Sequence, residues 1–418
     1  MVQPLDKMTE QDKIAIEKII YAAGKTGLNV ESGKIRRTSS RFCLGVEHGD
    51  YNGTELFGVG TDRFIWMAYK PNGTNKNRFF SVNFPEDGII EFETGKTPDP
   101  LSVPDSWARF PYGVDHILHR EGYNLTSGMD AILFGNIPGG GMSRSASLSL
   151  NLILTILEIN QIEIDDKHHI VDLAQMVEND YIGSPCGILD QTMILFAKEG
   201  MGTHYNPADR SIKYIPLGDS DVNFRIVSLD TGTVRPGLEK STYKIRREEC
   251  DQLTAMAKDE FGISCLADVK TKELFSKIIA KFKNYHPDLC DRLDYIFNAQ
   301  QRFYKMIDAW KNGDIISVGE IFRKDGRQLR DKYKISGPEL ETMCDIARTV
   351  RGVFGERMLG GGDKGAAGAI VRSDAVEKLK FAVETAYPRS HPDFADKFAV
   401  HSCKIVDGVK EWKMGSNP

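Results

Sequence analysis

Three groups of polar residues along the chain have side chains of the kinds that act on a small molecule. One is Asp190, an acid that follows the flexible stretch at residues 183–187. The second is a cluster formed by Arg41, Glu47, His48 and Asp50. The third is a loop rich in glycine and serine at residues 139–147, called the glycine loop below. An acid, an arginine, polar contacts for hydroxyl groups and a cradle for phosphate together predict phosphoryl transfer to a small polyhydroxy molecule.

The glycine loop lies in a setting that suits an anion. A short apolar strand at residues 131–134 precedes it, and a helical run at 146–158 follows. Glycine lets the backbone approach phosphate oxygens, and the start of a helix supplies unpaired amides. Ser143 and Ser145 can cap that helix or contact phosphate and Mg²⁺. The spacing matches neither the Walker A nor the GxGxxG pattern, so for the loop alone a tight structural turn is the simpler interpretation.

Bulk composition excludes several classes of protein. At 418 residues the chain is long enough for two domains, and a net charge of −5 does not favour nucleic acid or an anionic membrane as a partner. Seven scattered cysteines without a CxxC pair support neither a zinc site nor a disulfide framework. The first residues lack the apolar segment of a signal peptide, and residues 148–159 are too short and polar to span a bilayer. We therefore expect a cytoplasmic enzyme with reduced thiols.

Residue patterns predict an α+β architecture in two lobes. Isoleucines at helical spacing predict an opening helix at residues 10–24. Segments 57–69 and 79–92 are rich in β-branched and aromatic residues and predict strands, with a turn at residues 86–88. Residues 211–228 predict further strands, whereas 243–310 are mostly amphipathic and helical. The strand-rich first half and the mixed second half favour two lobes over one sheet with alternating helices.

Six blocks in a fixed order give the chain a resemblance to a known family. Residues 41–53 are similar to the galactokinase signature Arg-Val-Asn-Leu-Ile-Gly-Glu-His-Thr-Asp-Tyr-Asn-Gly, and residues 138–148 resemble the second motif of the GHMP kinases. Further blocks resembling galactokinases lie at residues 175–191, 235–250, 329–340 and 355–362. One block alone would mean little, but collinear agreement over about residues 40–371 is specific. The chain is identified as a member of the galactokinase family within the GHMP kinase superfamily.

The resemblance implies roles for individual residues. It implies that Asp190 is the catalytic base and Arg41 its partner, and that Ser145 and Glu178 hold Mg²⁺. The residues implied to bind the sugar are Glu47, His48, Asp50, Gly187 and Tyr243. Those implied to bind the nucleotide are Gly139, Gly140, Gly141, Ser143, Arg144, Ser145 and Trp107.

Each role has an ordinary structural alternative. Asp190 would otherwise be a helix cap, Arg41 half of a surface ion pair and Glu178 an exposed helix charge. Trp107 would otherwise belong to the core. For Asp190 and Arg41 the alternatives are favoured without the resemblance, whereas with both blocks intact the functional roles are favoured. For Glu178 the alternative competes strongly on spacing alone, and for Trp107 the core is the commoner place.

The resemblance also implies fold and activity. It implies a GHMP kinase fold with an N-terminal mixed-sheet lobe at residues 1–205, a C-terminal ferredoxin-like lobe at 206–418 and an active site in the cleft between them. The implied reaction uses ATP and Mg²⁺ to phosphorylate the anomeric hydroxyl of D-galactose, in a monomer. Two alternatives stay open: a sister kinase for N-acetylgalactosamine or L-arabinose, and a sugar- and ATP-binding sensor without catalysis.

The chain departs from the family pattern at several positions. Arg144 stands where the family has a serine, and Asp363-Lys364 interrupts a glycine-rich third motif. Gly326 replaces a usual histidine, and Gly49 replaces a threonine in the signature block. We expect Gly49 to make room beside the sugar for a bulkier hexose. We expect the Arg144 guanidinium to contact a nucleotide phosphate, unless it points outward from the helix start.

Overall fold

A computed structural model describes residues 8–233 and 242–415. Its first half contains α1 (Glu10–Thr26), β1 (Lys34–Gly45), β2 (Leu56–Pro71), β3 (Lys76–Ser81), β4 (Ile89–Glu93), α2 (Arg109–Arg120), β5 (Met129–Gly135), α3 (Arg144–Ile159), α4 (Lys167–Met176), α5 (Leu189–Leu195), β6 (Met201–Asn206) and β7 (Ser211–Pro216). Its second half contains β8 (Phe224–Asp230), α6 (Thr242–Phe261), α7 (Lys272–Phe282), α8 (Pro287–Lys311), α9 (Ile315–Asp331), α10 (Pro338–Thr349), β9 (Val353–Met358), β10 (Ala366–Arg372), α11 (Val376–Ser390), β11 (Ala399–Cys403) and β12 (Val409–Lys413).

Local sequence signals explain where several of these elements begin and end. The predicted opening helix is α1, which starts at a capping box between Thr9 and Asp12 and ends at Gly27 in the left-handed conformation. The apolar run at residues 148–159 forms most of α3, whose side chains are largely buried. In the described ranges no helix is long and apolar enough to cross a membrane.

The larger sheet is mixed and has eight strands. Six of them follow the order β12-β1-β2-β5-β3-β4. Strand β6 pairs with the first residues of β2, and β7 pairs with β6. The β3–β5 pair is parallel and the other pairs are antiparallel. The predicted strand region at residues 79–92 is a hairpin of β3 and β4, because Pro85 and a left-handed Gly88 interrupt it. This sheet carries β1 and β2, whose connecting loop reaches the site.

The smaller sheet has four antiparallel strands in the order β11-β8-β10-β9. Together with the intervening helices the strands follow a β-α-β-β-α-β path, which is the ferredoxin-like arrangement. The predicted α+β fold is thus confirmed. Helices α6 to α10 all lie between β8 and β9, so most of this lobe's helical mass is one long insertion.

The predicted boundary between residues 205 and 206 stays a prediction. Two strands that lie beyond it, β7 and β12, pair within the larger sheet. β12 pairs with β1 from Lys34↔Lys413 to Thr38↔Val409, so the end of the described chain returns to the first lobe. A buried charge network reinforces this contact, in which Arg36 contacts both Glu158 on α3 and Glu411 on β12.

Candidate active site

A cavity of about 570 Å³ opens where loops of the two lobes meet. The first lobe contributes the loop between β1 and β2, the glycine loop and the start of α5, and the second contributes Tyr243 and Gly360–Gly361. Every residue that the sequence singled out for the site lines this cavity: Arg41, Glu47, His48, Asp50, Trp107, Gly139, Gly140, Gly141, Ser143, Arg144, Ser145, Glu178, Gly187, Asp190 and Tyr243. Their roles remain predictions, but their assembly at one place is a finding.

Asp190 and Arg41 form a close ion pair in the cavity wall. The Arg41 Nε atom donates to Asp190 Oδ1 at 2.7 Å, and Nη2 lies 2.6 Å from the same oxygen. Arg41 is buried, so it is not part of a surface ion pair. Asp190 is the second residue of α5, whose N-cap is Ile188, so Asp190 is not the cap either. Its side chain is 34% exposed, which leaves the carboxylate open to the cavity.

Neighbouring carboxylates stabilise the positive charge of the buried Arg41. Burial opposes it, but the carboxylates of Asp190 and Glu47 outweigh that cost and raise the pKa of Arg41 above its usual range. Its Nη1 atom also donates to the carbonyl of Gly141 in the glycine loop at 2.8 Å. One fixed cation therefore joins the acid, the glycine loop and the β1–β2 loop.

The β1–β2 loop presents three polar side chains to the cavity. His48 has a left-handed backbone, and its Nδ1 atom lies 2.9 Å from the Tyr51 hydroxyl. Asp50 accepts a hydrogen bond from the backbone N–H of Leu189 at 3.1 Å, which ties this loop to the start of α5. Burial raises the pKa of Asp50. The loop is thus held directly against the element that carries the acid.

Gly187 is required at its position by close packing. A Cβ atom placed there would lie 1.8 Å from Asp50 Oδ2. Any larger residue would push Asp50 or the α5 start out of place. The glycine in the Cys-Gly-Ile-Leu-Asp-Gln stretch is therefore a contact point between the two halves of the predicted sugar site.

The expectation for Gly49 is wrong. A Cβ atom at Gly49 would lie 2.0 Å from the Thr54 hydroxyl and 2.9 Å from the carbonyl of Val46, within the loop itself. Gly49 does not line the cavity. The missing side chain therefore lets the loop close on Thr54 and creates no space for a larger sugar.

The glycine loop leaves polar groups open to a ligand. Ser143 occupies the N-cap position of α3 but makes no capping hydrogen bond, and Gly141 and Ser143 both have left-handed backbones. The Ser143 hydroxyl is buried and has no hydrogen-bond partner within the described ranges. The first amides of α3 are therefore available to an anion, as expected for a phosphate site.

Glu178 is buried, not exposed. A π-helical turn, Val177–Ile182, places it so that Ser145 Oγ donates to its Oε2 at 2.9 Å and Gln191 donates to its Oε1 at 3.1 Å. Burial, followed by the nearby Asp190 charge, raises the pKa of Glu178 to about 7. A buried carboxylate beside a hydroxyl offers hard oxygen ligands of the kind that Mg²⁺ prefers. In the part of the chain that the structure describes, no cluster of three or more His, Cys, Asp or Glu side chains could hold a metal by itself.

Arg144 lines the cavity, although its side chain is also exposed to solvent. Its guanidinium carbon lies 6.0 Å from the centre of the Phe84 ring, which lines the same cavity. It is the first residue of α3, where a cation opposes the helix dipole unless an anion is bound. Trp107 lies both in the cavity wall and in the hydrophobic core, and its contact with the nucleotide stays a prediction.

Comparisons with known proteins decide the family. The model of the GHMP kinases N terminal domain matches residues 111–198. A galactokinase of Exiguobacterium sibiricum is 31% identical over 372 residues, which are 89% of this chain and 92% of that protein. A galactokinase of Streptococcus thermophilus is 30% identical over 87% of this chain and 92% of its own length. The chain belongs to the galactokinase family.

Solved structures agree with this assignment. The crystal structure of Lactococcus lactis galactokinase complexed with galactose matches with a TM-score of 0.84 and 26% identity, and covers 94% of this chain and 99% of that one. Mevalonate kinase of Methanococcus jannaschii matches with a TM-score of 0.60 at 16% identity, which shows the shared fold alone. The galactokinase match covers both lobes.

The structure adds residues to the site that the motifs did not single out. The Tyr51 hydroxyl bonds to the Tyr333 hydroxyl at 2.8 Å, and Arg357 Nη2 donates to Glu47 Oε2 at 3.0 Å. Both Tyr333 and Arg357 lie inside blocks that resemble the galactokinase family, so block membership was the available signal. Residues 234–241, which include Arg235 of the fourth block, lie outside the described ranges.

Proposed function

We propose that this member of the galactokinase family transfers the γ-phosphoryl group of ATP to the anomeric hydroxyl of D-galactose. The observation that carries the proposal is the Asp190–Arg41 pair, with contacts of 2.6 and 2.7 Å, facing a cavity that also holds the glycine loop. Support for the substrate comes from relatives named galactokinase and from the structure of one of them in complex with galactose.

Asp190 acts as the general base. Both Arg41 contacts go to Oδ1, which leaves Oδ2 to accept the proton of the sugar hydroxyl. Arg41 holds the carboxylate in place, favours its ionised form and offsets negative charge that develops on the transferred group. Phosphoryl transfer demands little more than such positioning and charge stabilisation.

The sugar lies against the β1–β2 loop. Glu47, His48 and Asp50 offer acceptors and a ring nitrogen to its hydroxyl groups, and Gly187 and Tyr243 close the pocket. The nucleotide phosphates lie on the glycine loop, where the α3 amides, the Ser143 hydroxyl and Arg144 receive them. Trp107 contacts the base.

Ser145 and Glu178 are the residues that would hold Mg²⁺. The fit rests on two hard oxygen donors, the Ser145 hydroxyl and the buried Glu178 carboxylate, which lie 2.9 Å apart. When bound, the ion neutralises charge on the nucleotide phosphates. We also propose a cytoplasmic monomer, because one chain supplies every predicted site residue and all seven cysteines are free thiols.

A test measures ADP release from Mg·ATP across a panel of free sugars that includes D-galactose, N-acetylgalactosamine and L-arabinose, with Asp190→Asn as the control. The proposal predicts the highest kcat/KM for D-galactose. A clear preference for another sugar identifies a sister kinase. Sugar binding without turnover on any member identifies a sensor and overturns the proposal.

A further inference from the structure

The Glu47 carboxylate lies buried between two arginines that come from different lobes. Arg357 on β9 donates from Nη2 to Glu47 Oε2 at 3.0 Å and to the carbonyl of Cys43 at 2.8 Å. Arg41 on β1 reaches the other oxygen, with Nη2 3.9 Å from Oε1. Glu47 and Arg357 are 2% and 1% exposed, so water contributes little to the charge of either. Arg357 therefore makes the shorter of the two contacts, from across the cleft.

The charge of Glu47 depends on these arginines. Burial raises the pKa of Glu47, whereas Arg357 and then Arg41 oppose that shift. The nearby acids Asp190 and Asp50 add to the upward shift. The titratable and charged groups that face Glu47 are Arg41 and Cys43 on β1, Asp50 after it, Asp190 on α5, Tyr295 on α8 and Arg357 on β9. Without Arg357, Glu47 and Asp190 would share Arg41 as their nearby cation.

The surroundings of Arg357 fix its direction. Its guanidinium lies 4.4 Å from the centre of the Phe322 ring on α9, and Asp325 on the same helix lies 4.0 Å from Nη1. The next residue, Gly326, has no side chain, and a Cβ atom there would lie 2.5 Å from the Arg357 Cβ. Gly326 stands where the family pattern has a histidine. In this chain the glycine makes room for the arginine backbone beside α9.

We propose that Arg357 is a positioning residue for sugar binding, which holds the Glu47 carboxylate ionised and aimed into the cavity. The inference rests on the proposed function, in which Glu47 contacts the sugar. An ionised carboxylate offers only acceptor sites, whereas a protonated one turns an oxygen into a donor and loses acceptors for sugar hydroxyls. Arg357 thus makes the sugar site of the first lobe depend on a strand of the second.

The test compares the wild type with Arg357→Gln and Arg357→Lys, and measures kcat and both KM values between pH 6 and 9. We expect Arg357→Gln to raise the KM for galactose at least tenfold at neutral pH, while the KM for ATP changes less than twofold. In that variant the KM for galactose falls as the pH rises, because Glu47 then ionises without help. Arg357→Lys, which keeps the charge, restores most of the affinity. A rise that is equal for both substrates, or independent of pH, overturns the proposal.

A double-mutant comparison separates positioning from general structural support. In a Glu47→Gln background the side chain is neutral at every pH, so adding Arg357→Gln should change the KM for galactose by less than twofold. If the full effect of Arg357→Gln persists there, Arg357 does not act through Glu47. Calorimetric binding of galactose to each variant provides the same comparison without turnover.

A second variant and a wild-type control keep the result interpretable. If Arg357→Gln fails to fold, Gly326→Ala displaces Arg357 through the close Cβ contact and should raise the KM for galactose in the same pH-dependent way. Failure of the proposed function itself is distinguishable, because the wild type would then show no turnover of galactose at any pH. An active wild type with a variant of unchanged KM contradicts the role of Arg357 alone.

Discussion

At Asp190 the structure combines two conditions that a base needs. About a third of the side chain is open to the cavity, while a buried arginine holds Oδ1 from behind. The motifs predicted this pair correctly as neighbours, although 148 residues separate Arg41 from Asp190 in the sequence. Collinear motifs identify such residues because the chemistry fixes their types. The chemistry does not fix the residues that pack around them, so the sequence predicted those packing contacts less well.

Gly49 and Arg357 illustrate that difference. The direction of a side chain at position 49 depends on the left-handed backbone of His48 and the path to Thr54, which no pattern of residue types specifies. The contact of Arg357 with Glu47 depends on how two lobes pack, and it joins positions 310 residues apart. Gly49 was noticed only as a departure from the family pattern, and Arg357 only as a member of a block, so neither contact could be predicted.

Replacing Arg144 tests the most unusual residue of the glycine loop. Arg144→Ser should raise the KM for ATP about tenfold, because a charge-assisted hydrogen bond contributes about 1.5–3 kcal/mol. The kcat should change little, since a phosphate contact of this kind is made before and during transfer. Steady-state kinetics with ATP as the varied substrate measure both values. Arg144→Lys is the control that keeps the charge, and an unchanged KM in Arg144→Ser would show that the side chain does not contact the nucleotide.

At the scale of elements, two glycine-rich loops build one side of the cavity by packing on each other. A Cβ atom at Gly140 would lie 2.4 Å from the Cα of Gly365, whereas one at Gly139 would meet nothing within 4 Å. Gly365 also accepts hydrogen bonds from Thr231 at the end of β8. The contact between the lobes is therefore backbone against backbone at this point. The contact between Gly140 and Gly365 is present although Asp363 and Lys364 interrupt the glycine-rich third motif.

Two neighbouring glycines give a matched test of this contact. Gly140→Ala should destabilise the protein by about 1–3 kcal/mol, because the added methyl group forces two backbones apart. Gly139→Ala should change the free energy of unfolding by less than about 0.5 kcal/mol, as expected away from packed features. Urea denaturation followed by fluorescence and by circular dichroism measures both. Equal effects of the two substitutions would contradict the close packing of the loops.

Sequence patterns predicted most elements but not their assembly. α1, β2, β5 and α3 agree with the periodicity of their segments, because each has one clear apolar face or run. The return of β12 to pair with β1 was not predicted, since a five-residue strand carries no information about its partner. The same holds for the π-helical turn that brings Glu178 to Ser145.

At the scale of the whole molecule, stability and activity place different demands on buried acids. Asp115 on α2 is fully buried away from the catalytic pair and accepts a hydrogen bond from the backbone N–H of Gly95 at 2.8 Å. Its Oδ1 atom has no partner within the described ranges. Burial raises the pKa of Asp115 to about 6, partly offset by the Gly95 amide and by His119. Ionising this acid near neutral pH therefore costs folding free energy.

The resulting pH dependence has a definite sign. The folded pKa of Asp115 lies above its unfolded value, so its contribution to stability is full below about pH 4 and is lost as the pH rises through about 6. Asp115→Asn should therefore be more stable than the wild type by about 3 kcal/mol at pH 8, with no such gain at pH 4. Denaturant unfolding at both pH values measures the difference. Asp105→Asn, at a side chain 93% exposed, is the control, and a gain that is equal at both pH values would refute the assignment.

The central claim is that Asp190 takes the proton of the anomeric hydroxyl while this oxygen receives phosphate. The most direct measurement incubates the protein with Mg·ATP and D-[1-¹³C]galactose and records the ³¹P and ¹³C spectra of the product. The account predicts a phosphate coupled to the labelled C1 with the wild type, and a rate lower by a factor of about 10²–10⁴ with Asp190→Asn, as expected for loss of a positioned base. Phosphate on another carbon, or an undiminished rate in Asp190→Asn, would contradict it.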